Sequence, residues 1–282
     1  MRGKPFRLAA RTRRVRAALI GTILAAGACV RPHVVPPSAA PTPITLAVAT
    51  WNMHAGKGEL ARFVDDLASG RLTRGAPRDY VVLLQEDVER DNEPLGAVAA
   101  TRHLFAFFLP LRREHGAISG NAILSTQPFD QPRIIPLPRE RQPRASAAAN
   151  ITIAGERLFV ATVHLENRLP WWKALVSDTA RGRQARALLQ ELPATQHGLL
   201  GGDLNTWFGP GEPAWKEMVR RFPDTQFDRL QPTFRNRLVL DHLLSDLPDG
   251  WTISRRVVQE NYGSDHNPVV AAVYVGRVPG RT

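Results

Sequence analysis

The spacing of apolar and polar positions changes several times after about residue 43, and each change predicts a new element. Between residues 60 and 67, apolar side chains recur at i, i+3, i+4 and i+7, which predicts a helix that ends at Gly70. Continuous apolar runs bounded by Pro, Gly or polar residues predict strands. The predicted helices lie at 60–69, 95–102, 185–192 and 213–221. One predicted strand contains Gly201. The other predicted strands lie at 44–51, 80–84, 104–109, 118–124, 147–153, 157–165, 238–244, 251–258 and 268–275.

The order of these elements combines β-α-β-α units with runs of strands that read as hairpins. A purely parallel, doubly wound sheet would show regular alternation instead. The mixture therefore favours a layered α/β sandwich built from mixed sheets.

The first 29 residues differ from the rest of the chain. Seven basic residues and no acid precede Ala17, and an apolar run from Ala17 to Ala28 leads to Cys29. This layout is typical of a secretory signal, and the run is short for a membrane span. We expect residues 1–28 to be a signal peptide and the protein to be exported, either to the periplasm, as a membrane-anchored lipoprotein, or by secretion. Small residues before Cys29 resemble a lipoprotein cleavage site, so tethering through Cys29, plain cleavage and an uncleaved anchor stay open.

Five prolines among small residues predict an extended linker over residues 29–43. The folded domain is expected at 44–277, followed by a short tail at 278–282. No pattern indicates an obligate oligomer, so a monomer is expected. Cys29 is the single cysteine, which excludes a disulfide framework and a cysteine-rich zinc site.

The formal net charge of +11 is concentrated at the N-terminus. Of 37 basic residues, seven lie before residue 29, and the remaining 30 face 26 acidic residues, a net charge of +4. The body of the protein is therefore only mildly basic, which favours a nucleic-acid partner slightly.

Polar residues interrupt the pattern at what the sequence predicts to be strand ends. Asp203 and Asn205 follow an apolar run and a pair of glycines, and residues two apart in an extended segment project to the same face. A turn after a strand is the plain alternative. Asp241 interrupts an apolar run, where a carboxylate requires a partner such as histidine. His164, taken alone, favours the interpretation of a core histidine bonded to a backbone carbonyl.

Together these clusters form a set suited to phosphate-ester hydrolysis. Such a site needs an oxygen-rich cation pocket, a base for water, a donor for the developing oxyanion and a carboxylate that orients a histidine. The pocket is expected from Glu86, Asn52 and Asp265, the base from Asp203 or His266, the donor from Asn205 or Asn121, and the orienting carboxylate from Asp241.

Seven motifs occur in the order found in one known family. They are Trp51-Asn52, Leu84-Gln85-Glu86, Gly120-Asn121-Ala122-Ile123-Leu124-Ser125, Thr162-Val163-His164-Leu165, Gly202-Asp203-Leu204-Asn205, Leu240-Asp241-His242 and Ser264-Asp265-His266-Asn267-Pro268. Over residues 44–277, the chain thus resembles the endonuclease/exonuclease/phosphatase family, which includes deoxyribonuclease I and bacterial sphingomyelinases.

The resemblance implies a four-layer α/β sandwich, with two mixed β-sheets face to face and helices outside. It also implies a hydrolase that uses Mg²⁺, with Mn²⁺ as a substitute, to direct water at phosphorus.

By motif position, the resemblance also implies residue roles, with Glu86 as the principal metal ligand and Asn52 and Asp265 as assisting ligands. The implied catalytic residues are Asp203 at the water, Asn205 at the phosphate, His266 oriented by Asp241, and His164 as acid on the leaving group. Arg144 lies where many members place a phosphate-contacting arginine.

The substrate is less well defined by the sequence. Trp207 follows Asn205, and Trp171-Trp172 follow His164; such aromatics stack on bases, insert into lipid interfaces, or pack. Two activities are weighed: a nuclease or phosphodiesterase, favoured by the basic residues, and a sphingomyelinase-type phospholipid or sugar-phosphate hydrolase. An inactive binding module is the third alternative, which the intact motifs oppose.

Overall fold

The computed structural model describes residues 43–89, 95–114, 116–167, 179–223 and 231–276. The predictions for the signal peptide, for Cys29, for the linker up to residue 42, for Trp171-Trp172 and for the tail lie outside these ranges. Within them no helix is long and apolar enough to cross a bilayer, and the longest has 12 residues.

Eleven strands and four α-helices make up the described fold. The strands are β1 Leu46–Asn52, β2 Asp79–Glu89, β3 Phe105–Glu114, β4 Ala117–Ser125, β5 Asp130–Pro136, β6 Ala145–Ile153, β7 Glu156–His164, β8 Gly198–Asp203, β9 Asp241–Asp246, β10 Thr252–Val257 and β11 Val269–Tyr274. The helices are α1 Leu60–Ala68, α2 Leu95–Thr101, α3 Ala180–Glu191 and α4 Pro213–Arg221.

The strands form two mixed sheets, as predicted. The first has six strands in the order β10-β11-β1-β2-β4-β3, and the second has five in the order β5-β6-β7-β8-β9. Each sheet contains one parallel pair near its centre, β1 with β2 and β7 with β8, while the other pairs are antiparallel.

Three apolar clusters confirm the four layers. One lies between the two sheets and joins side chains such as Val48 and Leu83 to Val160 and Leu199. The second packs α1 and α2 on the outer face of the six-stranded sheet, and the third packs α3 and α4 on the outer face of the five-stranded sheet. Because successive residues of a strand point to opposite faces, each central strand supplies both an inner and an outer cluster, which explains its continuous apolar run.

Three features differ from the sequence prediction. Strand β5 was not predicted, because it is an edge strand whose side chains, except Ile135, are exposed. Strand β2 continues to Glu89 beyond a bulge between Leu84 and Asp87, so Glu86 does not end a strand. Asn121 likewise lies inside β4 rather than at its end. The bulge re-aims the Glu86 side chain without ending the strand.

Candidate active site

Four predicted site residues lie at strand ends along one edge of the sandwich. Asn52 ends β1, His164 ends β7, Asp203 ends β8 and Asp241 begins β9. In the second sheet, His164 is the register partner of Asp203, and Asp203 is the partner of Asp241. The sheet pairing therefore brings residues from distant parts of the sequence side by side.

Gly201 allows the two sheets to approach closely behind this edge. A Cβ atom at Gly201 would lie 2.6 Å from Leu83 Cδ1 and 2.7 Å from Thr50 Cβ, which are side chains of the opposite sheet. Contacts that short do not occur between real Cβ atoms and their neighbours. A glycine is therefore needed where β8 lies against β1 and β2, just before Asp203.

Asp203 is the central carboxylate of the site. Its Oδ2 accepts a hydrogen bond from Asn52 Nδ2 at 3.0 Å, and its Oδ1 accepts one from the backbone N–H of Asn205 at 2.9 Å. His164 Nε2 lies 3.5 Å from Oδ2. Burial, together with the nearby charge of Asp241, raises the pKa of Asp203 to about 7, although His266 and the two hydrogen bonds oppose the rise. A carboxylate with this pKa can exchange a proton at neutral pH.

His266 and Asp241 form a buried pair beside Asp203. His266 Nδ1 lies 2.7 Å from Asp241 Oδ2, and Thr233 Oγ1 accepts the backbone N–H of Asp241 at 3.0 Å. Burial disfavours the imidazolium, but the charge and hydrogen bond of Asp241, helped by Asp203 and Asp265, raise the pKa of His266 to about 10. The imidazole is therefore protonated at neutral pH.

Two groups of residues could hold a metal ion. Among the described residues, Asp203, Asp241 and His266 place one ligand atom each within 4.8 Å of one another. The sequence predicts these three as catalytic residues rather than ligands. Their hydrogen bonds to Asn52, to Asn205 and to each other occupy much of their ligand capacity.

The predicted ligands Glu86, Asn52 and Asp265 surround the loop that follows β1. Glu86 Oε2 accepts the backbone N–H of Ala55 at 3.0 Å, and Asn52 Oδ1 accepts that of His54 at 3.0 Å. Asp265 Oδ1 lies 2.7 Å from His54 Nδ1. Two adjacent residues of one loop thus link all three predicted ligands.

Comparison with known proteins identifies the family. The model of the endonuclease/exonuclease/phosphatase family matches residues 49–266, which is most of the chain. The chain belongs to this family. A sequence comparison with curated proteins finds no match.

Solved structures of this family share the fold. An endonuclease/exonuclease/phosphatase from Beutenbergia cavernae DSM 12333 is 18% identical, with a TM-score of 0.63 over 84% of this chain and 73% of that one. The human Nocturnin catalytic domain with bound sulfate is 18% identical, with a TM-score of 0.60 over 81% and 93%. Sphingomyelinase C from Streptomyces griseocarneus is 21% identical, with a TM-score of 0.54 over 82% and 99%. At 18–21% identity, these similarities establish the shared fold.

Beside the carboxylates, a narrow cleft of about 60 Å³ contains the predicted substrate-binding residues Asn121 and Arg144, together with Glu86 and His164. Arg144 is 8% exposed, and its Nε atom has no hydrogen-bond partner in the part of the chain that the structure describes. Burial lowers the pKa of Arg144, although nearby carboxylates partly restore it. Asn121 Nδ2 donates to the carbonyl of Ala145 at 3.1 Å, which fixes the backbone next to Arg144. An uncompensated buried guanidinium favours an anion in the cleft.

The neutral form of His164 dominates in this arrangement. Burial, followed by the charges of Arg144 and His266, lowers its pKa well below the ordinary value of 6.5. Glu86 Oε1 lies 3.8 Å from Nδ1, too far for a hydrogen bond. The implied role of His164 as an acid on the leaving group stays a prediction. This role requires that a negative charge enter the cleft and favour the protonated imidazole.

Trp207 contacts the site through its polar edge. Its Nε1 donates to Asn205 Oδ1 at 3.0 Å, and its ring meets Phe234 edge-on with centroids 5.8 Å apart. Phe234 in turn packs 4.8 Å from the imidazole of His266. Trp207 is 40% exposed, so one part of the ring faces solvent while its N–H fixes the orientation of the Asn205 amide.

Sequence reasoning missed three contributors. His54 binds Asp265, Thr233 holds Asp241, and Phe234 packs on His266. The position of His54, two residues after Asn52, is a usable signal because the same loop must border the site. Thr233 and Phe234 lie in an irregular segment with no periodic pattern, so nothing in the sequence indicates them.

Proposed function

We propose that the protein is an exported, metal-dependent phosphodiesterase that hydrolyses phosphodiester bonds by attack of water on phosphorus. The observation that carries this proposal is the position of Asp203. Its buried carboxylate, with a pKa of about 7, lies between His164 and the His266–Asp241 pair. Membership of a phosphoesterase family supports the reaction class.

In the proposed reaction, Asp203 accepts a proton from water as the water oxygen forms a bond to phosphorus. The bond between phosphorus and the leaving oxygen breaks, that oxygen takes up a proton from bulk water, and Asp203 then releases its proton to the solvent. The protonated His266 offsets the negative charge that builds on the phosphoryl oxygens. Asn205, whose amide is oriented by Trp207, and Arg144 hold the phosphate.

The chain's donor set fits a divalent cation. Glu86 has one oxygen fixed by the loop N–H of Ala55 and the other directed toward the cleft, and carboxylate and amide oxygens suit Mg²⁺ or Mn²⁺. Glu86, with Asn52 and Asp265, would hold the ion. When bound, it would neutralise charge on the phosphate and lower the pKa of water.

Nucleic acid is the favoured substrate. Arg112 and Arg144 line the cleft, and a polyanion gains from each such contact. The exposed rings of Trp207 and Phe208 lie next to Asn205, where a base could stack. The same exposed rings could enter a lipid interface, and a sphingomyelinase is among the similar structures, so phospholipid hydrolysis is the second candidate.

One substrate panel tests the proposal. The purified protein is incubated with Mg²⁺ and plasmid DNA, RNA, sphingomyelin or bis(p-nitrophenyl) phosphate, with and without EDTA, and Asp203→Asn serves as the matched inactive variant. We expect nucleic acid to be cleaved only with metal and only by the wild type. Activity that resists EDTA would overturn the metal dependence. Cleavage of sphingomyelin alone would select the second candidate, and binding without turnover would make the protein a binding module.

Export is a separate part of the proposal. It is supported by the basic and apolar character of residues 1–28 and by the small residues before Cys29. Mass spectrometry of the mature N-terminus in a bacterial host, after separation of membrane and periplasm, would show whether the chain begins at Cys29 and whether this residue carries lipid. A full-length chain in the cytoplasm would contradict export. Gel filtration with light scattering tests the expected monomer.

A further inference from the structure

A second cavity, much larger than the catalytic cleft, lies on the outer face of the six-stranded sheet. Its volume is about 500 Å³, within the usual range of small-molecule sites. Its floor is the outer face of β10 and β11, and its roof is the segment 72–76 between α1 and β2. It contains none of the residues of the catalytic cleft. Ile44 lines it at the opposite end of β1 from Asn52.

The sheet register places two polar residues of β10 on this face. Ser254 pairs with Ala272 and Arg256 pairs with Val270, so all four side chains point to the same side of the sheet. Val270 belongs to the outer apolar cluster, which identifies that side as the one covered by α1. Arg256 therefore extends a long cationic side chain from a floor that Ser254, Val270 and Ala272 otherwise form.

Two guanidinium groups in this cavity have no acidic partner among the described residues. Arg256 donates from Nη2 to the carbonyl of Arg71, and its buried Nε has no hydrogen-bond partner in the same ranges. Arg74, opposite it, has no ion pair in the described part of the chain. The nearby carboxylates Asp66 and Glu260 are instead paired with Arg71, at 2.8 and 3.7 Å. Burial, and then repulsion from Arg74, lower the pKa of Arg256.

The other side chains that line the cavity include both apolar and polar groups. Leu72, Val270 and Ala272 form an apolar wall, and Ser254 and Tyr274 add hydroxyl groups. The positive charges of Arg74 and Arg256 repel each other, which destabilises the folded protein. An anion bound between them would offset this repulsion and accept charge-assisted hydrogen bonds. The apolar wall would bind a hydrocarbon portion of the same molecule.

We propose that this cavity binds an amphiphilic phosphate, with the phosphate group on Arg74 and Arg256 and the hydrocarbon portion on Leu72, Val270 and Ala272. The ligand class is a phosphate monoester or diester with a short apolar group, whether free in solution or as a lipid headgroup. This site does not depend on the proposed hydrolytic activity.

Isothermal titration calorimetry on the whole protein tests the site with three probes. Hexylphosphonate carries both portions and cannot be hydrolysed, methylphosphonate lacks the hydrocarbon, and 1-hexanol lacks the charge. We expect hexylphosphonate to bind more tightly than either. Arg74→Gln and Arg256→Gln should each weaken its binding by about tenfold or more, the equivalent of one charge-assisted bond. The control is Arg78→Gln, which is on the same segment and exposed but outside the cavity.

The outcomes separate this site from others. Unchanged binding in both cavity variants would overturn the proposal and locate the phosphonate elsewhere, such as the catalytic cleft. Equal loss in Arg78→Gln would show nonspecific charge attraction, and would also overturn it. Arg74 has an exposed side chain without a structural bond, so its variant should melt at the wild-type temperature and stay informative if Arg256→Gln unfolds. Flotation with phosphatidylcholine vesicles, with and without phosphatidic acid, then distinguishes a lipid headgroup from a soluble phosphate.

Discussion

His266 Nδ1 lies 2.7 Å from Asp241 Oδ2, and both side chains are almost completely buried. This contact keeps a positive charge next to Asp203, where burial alone would expel it. The two residues are 25 positions apart: Asp241 begins β9, and His266 lies in the loop before β11 of the other sheet.

Asp241→Asn should remove that stabilisation. We expect the NMR-detected pKa of His266 to fall from about 10, because burial would then be opposed only by the charges of Asp203 and Asp265. The neutral fraction of the histidine at neutral pH should rise, and kcat should fall by about 10² or more. His266→Gln and the double variant provide the comparison. If the two residues act as a pair, the kcat of the double variant should be no lower than that of the weaker single variant. A His266 pKa that stays near 10 in Asp241→Asn would contradict the pairing.

Trp207→Phe separates a positioning role from a stacking role. The ring is retained, but the hydrogen bond from Nε1 to Asn205 Oδ1 is lost. If the bond orients the amide, kcat should fall by about fivefold while KM changes little, because the loss of one hydrogen bond costs about 1 kcal/mol. Phe208→Leu, at an equally exposed neighbour, is the control and should keep kcat. A rise in KM alone would indicate that Trp207 only contacts substrate.

Glu86→Gln tests the position of the metal. The substitution keeps the size of the side chain and its acceptor for the N–H of Ala55, but removes the charge. Calorimetric titration with Mg²⁺ or Mn²⁺ should show binding weakened by about tenfold or more. Glu89→Gln, on the exposed end of the same strand, should bind like the wild type. Full affinity in Glu86→Gln, with loss in Asp241→Asn, would move the metal to Asp203, Asp241 and His266.

Asp87 gives a prediction about stability. Burial raises its pKa from 3.8 to about 6, and among the described residues its Oδ2 has no hydrogen-bond partner. The folded state thus binds the proton more tightly than the unfolded state, so stability from this group is present at low pH and is lost as pH rises from about 4 to 6. At pH 7 the cost is at most about 3 kcal/mol, and Asp87→Asn should recover about 1–2 kcal/mol of it.

Urea unfolding at several pH values checks this prediction. The difference in the free energy of unfolding between Asp87→Asn and the wild type should shrink as pH falls toward 4.5. Glu156→Gln, at the exposed start of β7, is the control and should show no such trend. A pH-independent difference would mean that the effect of Asp87→Asn comes from packing rather than from charge.

Most of the secondary structure and the order of the site motifs could be predicted from the sequence. Apolar runs located ten of the eleven strands, and the helical spacing located the four helices, because burial on both faces leaves a continuous apolar pattern. Edge strand β5 was not predicted, because its exposed residues carry no such pattern. Strand ends carry polar residues that no core requires, so Asp203, Asp241 and His266 were recognisable as a set.

The contacts between these residues could not be predicted from the sequence, because they form only in the folded chain. The pairing of His266 with Asp241, the contact of His54 with Asp265 and the bond from Trp207 to Asn205 depend on sheet register and on loop backbone. The bulge at Glu86 and the irregular segment around Phe234 follow from packing between distant segments, which a local pattern does not record. The protonation states follow the same reasoning: a pKa is set by burial and by charges within a few ångströms, and both are properties of the folded chain.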